Sequence, residues 1–279
     1  MAGTEPIAAS RLLRAFSIWG GVPTIEPIPG GRTNENFRVT AAGRVYFARL
    51  GIDLPHHGIT RANELRSLRL AAAAGVAPEV VLAEEGVLVT AFVDGETLIQ
   101  GRPVGDGVLR QLAEALQRLH AAPAPADLHP FDPAAICRRD FAALPADSIP
   151  KHMRRRVELL LDGTPGFRPS ALIHADLIPE NVIVAGSRVV LVDWEYAGRG
   201  DPVVDLASVT LHFGLDDRQA TVLANAYGKF GADRIRALLP VLALREALWC
   251  EVQQRFAGVR GDLADYTAMC WQRLERLFP

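Results

Sequence analysis

The chain has 279 residues, of which 49% are hydrophobic and 22% charged, with a formal net charge of −2. That composition can bury a substantial core, and the length allows one large domain or two lobes. The near-neutral balance gives no electrostatic basis for binding nucleic acid or an anionic membrane, and the basic run Lys151 to Arg156 reads as a solvated helix face.

Apolar residues at Leu12, Leu13, Phe16 and Trp19 predict a helix over Ala8 to Trp19, stopped by Gly20-Gly21. The texture then turns β-like. Thr24 to Ile28, Asn36 to Thr40 and Val45 to Leu50 are short strand candidates, separated by a Gly30-Gly31 loop and an Ala41-Ala42-Gly43 turn. Arg61 to Ala74 is rich in Leu and Ala and predicts a helix ended by Gly75. Val80 to Ala83 and Val87 to Val93 predict a hairpin around Glu84-Glu85-Gly86.

Past Asp94-Gly95 the pattern is mostly helical. Helices are expected at Val108 to His120, Lys151 to Leu161, Pro202 to Phe213, Arg218 to Phe230, Arg234 to Phe256 and Leu263 to Leu277. A β-like island interrupts them at Ala171 to His174, Val182 to Ala185 and Val189 to Val192. The expected architecture is α+β, with a small β-rich N-terminal lobe (residues 1–93) and a larger helical C-terminal lobe (residues 94–279) that carries the island.

Cys137, Cys250 and Cys270 show neither a CxxC pair nor metal-ligand spacing, so reduced thiols are expected. The N-terminus lacks the basic and apolar regions of a signal peptide, and the apolar stretch Leu238 to Trp249 is broken by Arg245 and Glu246. A soluble cytoplasmic protein is the expectation.

The island carries the strongest chemical signal. In Ile173-His174-Ala175-Asp176-Leu177-Ile178-Pro179-Glu180-Asn181, Asp176 and Asn181 stand five apart, and the following hairpin ends at Val192-Asp193-Trp194. Phosphoryl transfer needs a carboxylate to position the acceptor, an oxygen ligand for magnesium, and a second carboxylate holding metal against the phosphates. A rigid loop followed by a tight hairpin can bring Asp176, Asn181 and Asp193 to one end. Asx residues also satisfy turn backbone. The joint pattern of His-x-Asp-x4-Asn, two hydrophobic strands and a terminal Asp is more specific than a turn requires.

These residues, with Val192-Asp193-Trp194-Glu195-Tyr196-Ala197-Gly198 and Gly200-Asp201-Pro202 through Asp205-Leu206, resemble the choline/ethanolamine kinase branch of the aminoglycoside-phosphotransferase-like kinases. Gly30-Gly31-Arg32-Thr33-Asn34-Glu35-Asn36-Phe37-Arg38-Val39 resembles the phosphate loop of that branch. The resemblance runs from about Thr24 to Ser208 and implies a bilobal protein-kinase-like fold, ATP and Mg²⁺. It implies that Asp176 orients the acceptor hydroxyl and takes its proton, that Asn181 and Asp193 hold magnesium, and that Asp205 is a buried anchor of the catalytic loop. His174 would orient the loop, and Asp201 before Pro202 also fits a helix N-cap.

Toward the nucleotide, the small residues of the loop, including Gly31, let backbone approach phosphates, and Thr33 and Asn34 can donate from their side chains. Arg49 stands where protein kinases place a phosphate-binding Lys. Its acid partner is Glu64 by the resemblance, with local pairing of Glu64 to Arg61 or Arg66 as the lesser alternative. Val89 to Val93, with Phe92, would form the adenine hinge.

For the acceptor, Tyr196, Trp249 and Tyr266 match aromatic positions that surround the quaternary ammonium in choline kinases, and each also fits core packing. Choline or a related amino alcohol is therefore the expected small-molecule acceptor. Where choline kinases often carry an acid after the Asp205 helix starts, this chain has Leu211-His212-Phe213, which keeps thiamine open as a second cationic acceptor. An aminoglycoside fits the mixed charge of residues 218 to 279 less well. A non-catalytic kinase-like binding protein would be expected to have lost Asp176, Asn181 or Asp193, and all three are present.

Overall fold

The computed structural model describes residues 13–29, 34–257 and 262–278. Residues 8–12 of the helix expected over Ala8 to Trp19 lie outside these residues. What is described ends in a 3₁₀ turn, Ser17–Trp19, closed by Gly20 at φ 63°.

Strands β1 (Thr24–Ile28), β2 (Glu35–Ala41) and β3 (Arg44–Leu50) lead to helix α1 (Arg61–Ala73), then to β4 (Val80–Glu84) and β5 (Val87–Ala91). The five strands form one antiparallel sheet in the order β1-β2-β3-β5-β4. Alternation decides its buried face: Phe37, Val39 and Ala41 of β2 and Tyr46 and Ala48 of β3 pack with Leu13, Trp19, Val87 and Val89. Helix α1 is capped by Thr60, whose side chain accepts from the Asn63 amide. Its buried face carries Asn63, Glu64 and Ser67 beside Leu68 and Ala71, so this helix turns polar groups inward. Buried polar groups need partners, and α1 finds them at the site.

The rest is mainly helical: β6 (Glu96–Thr97), α2 (Asp106–Ala121), α3 (Pro133–Ala143), α4 (Lys151–Gly163), β7 (Ala171–Ile173), β8 (Val182–Ala185), β9 (Arg188–Leu191), β10 (Gly198–Gly200), α5 (Val203–His212), α6 (Asp217–Tyr227), α7 (Ala232–Arg236), α8 (Leu239–Ala257) and α9 (Leu263–Leu277). One core joins α2, α5 and α6 to β7, β9 and the island, and a second joins α3, α4, α8 and α9. The island is tied to the N-terminal part by Leu191 N–H donating to Val76 O at 2.8 Å.

The expected helix Arg234 to Phe256 is two helices. Pro240 has no N–H to continue the ladder and disfavours helical geometry in the residue before it, so the chain turns at 237–238 and restarts. Helix α3 was not expected from periodicity. It starts at an Asp132 cap, which accepts from Ala135 N at 3.0 Å, with Pro133 in its first turn. Strands β6 and β10 are two and three residues long and exist only through their neighbours.

Strand β10 lies against the 129–131 segment, Arg199 N–H donating to His129 O and Phe131 N–H to Arg199 O, both at 2.8 Å. A Cβ on Gly198 would sit 2.4 Å from His129 O, a backbone atom that cannot yield locally. Gly198→Ala should therefore destabilise the protein by about 1–3 kcal/mol. A urea melt with an unchanged midpoint would show that this approach is not as close as described.

Candidate active site

Strand β7 ends in a loop that runs through Asp176 to the 3₁₀ turn Pro179–Asn181, and the β8–β9 hairpin returns the chain to Asp193. Two non-glycine residues here are left-handed, Ala175 at φ 66° and Asp193 at φ 65°. Each costs roughly 1–2 kcal/mol, so something must hold the loop.

Asp205 holds it. From α5, Oδ1 accepts from Ala175 N at 2.8 Å and Oδ2 from His174 N at 2.9 Å. His120 Nε2–H donates to Oδ2 at 3.0 Å, and its Nδ1 accepts from the Tyr227 hydroxyl at 2.9 Å. His174 is a brace of the same kind: Nε2–H donates to Val192 O at 2.9 Å and the ring packs on Trp194. Burial lowers the His174 pKa, so the ring is neutral. Its Nδ1 is buried without a hydrogen-bond partner, an arrangement suited to support rather than to proton transfer.

Asn181 Nδ2–H donates to the Asp176 carbonyl at 2.9 Å, and Val192 N–H donates to Asn181 O at 3.0 Å, so loop and hairpin fix each other. This leaves the Asn181 amide oxygen as its side-chain acceptor. Burial pushes the Asp176 carboxyl up to about 6, with Glu195 and Glu246 adding to the rise and Arg245 opposing it. Crowding by surrounding protein atoms and by Glu195, Glu64 and Asp176, against Arg49, pushes the Asp193 carboxyl up from its ordinary value, although its side chain is still 42% exposed. A carboxylate and an amide oxygen, set among mutually repelling acids, are hard donors that fit magnesium, whose charge would offset that repulsion.

On the nucleotide side, β2–β3 pairing sets Arg49 opposite Asn36. Arg49 is almost fully buried, ion-paired to Glu64 Oε1, and its Nη1 lies 3.6 Å from Asp193 Oδ1. Burial works against the Arg49 charge, but Glu64, Asp193 and Glu195 hold its pKa above the ordinary value. Glu64 also accepts from Arg61 Nη1 at 2.8 Å, so two of the three partners considered for it are engaged at once, while Arg66 pairs with Asp127 instead. Arg61 bridges onward to Glu195 Oε2 at 3.1 Å and Asn34 Oδ1 at 3.0 Å, and Asn34 Nδ2–H donates to Glu195 at 3.0 Å. Gly31 and Thr33 lie outside the described residues. At the end of β5 the Phe92 amide donates to Val45 O at 3.3 Å, and the half-exposed ring lies under Arg38. The amide of Phe92 is thus already engaged within the sheet.

Beside Asp176 opens a cleft of about 460 Å³ whose walls include His57, Phe131, Glu195, Tyr196, Arg245 and Trp249. Trp249 Nε1–H donates to the Tyr196 hydroxyl oxygen, Oη, at 2.6 Å and its ring stacks on His57. The structure therefore brings Tyr196 and Trp249 together, but not Tyr266. That residue is outside the cleft lining, bonded through its hydroxyl to Glu246 and packed on the second core. Nor is the Tyr196 face open: the Arg245 guanidinium lies 4.8 Å from its centroid, and 3.8 Å separates Nη1 from Asp176 Oδ1.

Sequence reasoning named Arg61 only as a possible partner of Glu64, Glu195 only within its motif and Arg245 only as a break in an apolar stretch, and assigned none of them to the site. A signal existed for Arg245, a charge inside an otherwise apolar helix stretch. None distinguished Arg61 from other helix-surface arginines.

Asp205→Ala would leave two buried loop amides without acceptors, at about 1–3 kcal/mol each, and should lower stability by roughly 2–6 kcal/mol. Denaturant melts check this, and a loss below 1 kcal/mol would show that the loop holds itself.

The phosphotransferase enzyme family, APH, matches residues 24–238. A thiamine kinase of Salmonella paratyphi B is 33% identical over 139 residues, 47% of this chain and 48% of that protein, so the chain spans about half the length of that curated relative. Among solved structures, a choline/ethanolamine kinase family protein from Mesorhizobium loti is 27% identical at a TM-score of 0.76, covering 98% of this chain and 94% of that one. Choline kinase LicA from Streptococcus pneumoniae, 20% identical at a TM-score of 0.72 over 91% of this chain and 92% of its own, shares the fold, and LicA has also been solved with AMP. The family match spans every element from β1 to α7, with Asp176, Asn181, Asp193 and Asp205 inside it, and the chain belongs to the phosphotransferase enzyme family.

Proposed function

We propose that this protein is a kinase that moves the γ-phosphoryl group of ATP, with magnesium, onto a hydroxyl of a small molecule. The observation that carries the reading is the convergence of Asp176, Asn181 and Asp193 on one loop and hairpin clamped by Asp205. In this reading residues 1–93 hold the nucleotide and residues 94–279 the acceptor. The AMP-bound LicA structure, of the same fold, supports an adenine nucleotide.

Asp176 accepts the hydroxyl proton as the acceptor oxygen bonds to the γ-phosphorus and the bond to the β–γ bridging oxygen breaks, leaving ADP. Asn181 and Asp193 are the residues that hold magnesium, which neutralises phosphate charge when bound. Arg49, fixed by Glu64, would meet the phosphates with its guanidinium, and Gly31, Thr33 and Asn34 are the loop residues that the sequence assigns to them. Phe92 marks the adenine end.

For the acceptor, choline or a related amino alcohol draws support from the names of the solved relatives and from Tyr196 and Trp249 in the cleft. Thiamine draws it from the curated kinase matched over 139 residues. The guanidinium over Tyr196 stands against a cage for either cation.

Asp176→Asn should keep the fold and Mg·ATP affinity and lower kcat by about 10²–10⁴-fold, the range for a lost general base. Near-normal kcat would remove Asp176 from the chemistry. The base must be ionised, so kcat/KM should fall as pH drops through about 6, the position to which burial raises Asp176. A pH profile flat from 7 down to about 5 would contradict this. Asp193→Ala should abolish magnesium-dependent nucleotide binding in calorimetry, and retained binding would move the metal elsewhere.

A further inference from the structure

The polar groups of the cleft divide unevenly between those already engaged and those left over. Asp53 Oδ1 accepts from Arg61 N at 2.7 Å. Asn63 accepts from His129 N at 2.9 Å and donates to Ala197 O at 2.8 Å. Asp140 is paired with Arg139 at 2.7 Å, and Glu195 accepts from Arg61 and Asn34. Every carboxylate in the wall thus has a protein donor on it.

Arg245 differs. It projects from the apolar helix α8, its side chain is only 12% exposed, and the rings of Phe131 and Tyr196 lie 5.0 and 4.8 Å from its guanidinium carbon. Its nearest carboxylate, Asp176, is an ion-pair partner at 3.8 Å, a long contact that engages Nη1 alone, and among the described residues no other side chain accepts from it. A guanidinium has five N–H donors, and the one contact with Asp176 leaves most of them to the cleft that Arg245 lines. The ring contacts hold the group in place without satisfying those donors. Tyr196, whose oxygen accepts from Trp249, keeps its own hydroxyl proton for a further acceptor. An entering molecule therefore meets a guanidinium with donors to spare beside Asp176, while the acids of the wall already carry protein donors.

We propose that Arg245 is the specificity-determining residue of the acceptor site, and that the acceptor is a hydroxycarboxylate. Its carboxylate lies on the Arg245 fork, and its hydroxyl, roughly one or two carbons away, reaches Asp176. Carboxylate fits better than a phosphate ester because Asp176, Glu195 and Glu246 surround the place with negative charge, which penalises a dianion more than a monoanion. A trimethylammonium offers the guanidinium no acceptor and repels it over the same ring. The hydroxyl half of this assignment rests on the kinase reading; the carboxylate half does not.

The test pairs calorimetry with an ATP-consumption assay. Glycolate, lactate and glycerate are the carboxylate probes, with 3-phosphoglycerol, choline and thiamine as comparators, on wild type, Arg245→Gln and Arg245→Lys. We expect saturable binding of at least one hydroxycarboxylate, weakened at least about tenfold in Arg245→Gln and less in Arg245→Lys, with melting temperature and Mg·ATP affinity unchanged. No hydroxycarboxylate binding by wild type, equal binding by Arg245→Gln, or tighter binding of the phosphate ester or either cation would each overturn the assignment. Hydroxycarboxylate binding without ATP consumption would keep Arg245 in its role and remove the kinase reading. Magnesium-dependent ATP turnover with choline or thiamine alone would do the reverse.

Discussion

A single buried carboxylate, that of Asp205, sets the geometry on which the site depends. It is fully withdrawn from water and balances that cost by accepting from the His174 and Ala175 amides and from His120. The amides belong to a turn that a non-glycine residue enters in left-handed geometry, so the loop would not choose this shape unaided. Once Ala175 is held, the direction of Asp176 follows, and Asn181 closes the loop by donating to the Asp176 carbonyl. His120 and Tyr227 extend the anchor into α2 and α6, so the main helical core carries it.

A second constraint joins the sheet to the island. Arg49 on β3, Glu64 and Arg61 on α1, Glu195 beyond β9 and Asn34 before β2 form a continuous chain of ion pairs and hydrogen bonds. Asp193 touches its end through Arg49. A buried pair is a weak source of stability, because desolvation offsets attraction, but removing one member strands the other. The network is therefore better understood as fixing relative position: the phosphate-facing side of the sheet and the Asp193 segment are set by the same charges.

The acceptor cleft is built differently, from aromatic and cationic surfaces. The segment between β3 and α1 reaches α8 through His57 stacked on Trp249 and His56 on Phe256, and His57 bonds Gln253 at 2.6 Å. Burial lowers His57 to about 4, so at neutral pH it is an uncharged wall. Among the cleft's rings Arg245 brings a charge whose one carboxylate partner, Asp176, is 3.8 Å away, and its position between Phe131, Tyr196 and Asp176 gives the cleft its polarity.

Local spacing alone determined much of this protein. The alternation of β2 and β3, the glycine-ended hairpins, the five-residue step from Asp176 to Asn181 and the hairpin to Asp193 are short-range features, each fixed by neighbours along the chain. Contacts between distant residues decided the rest. Glu64 could not be assigned to Arg49 or Arg61 from helix spacing, because a buried carboxylate with two oxygens takes both. Tyr266 and Trp249 looked alike as aromatics on apolar helices; the packing of α9 on α8 turns one toward Glu246 and leaves the other facing His57. Arg245 read as an interruption of an apolar stretch, and only the folding of α8 against Phe131, Tyr196 and Asp176 made it part of a site. A side chain's chemistry is written at its own position, but whether it is desolvated, paired or left with unsatisfied donors depends on residues a hundred positions away, and only the tertiary structure brings those together.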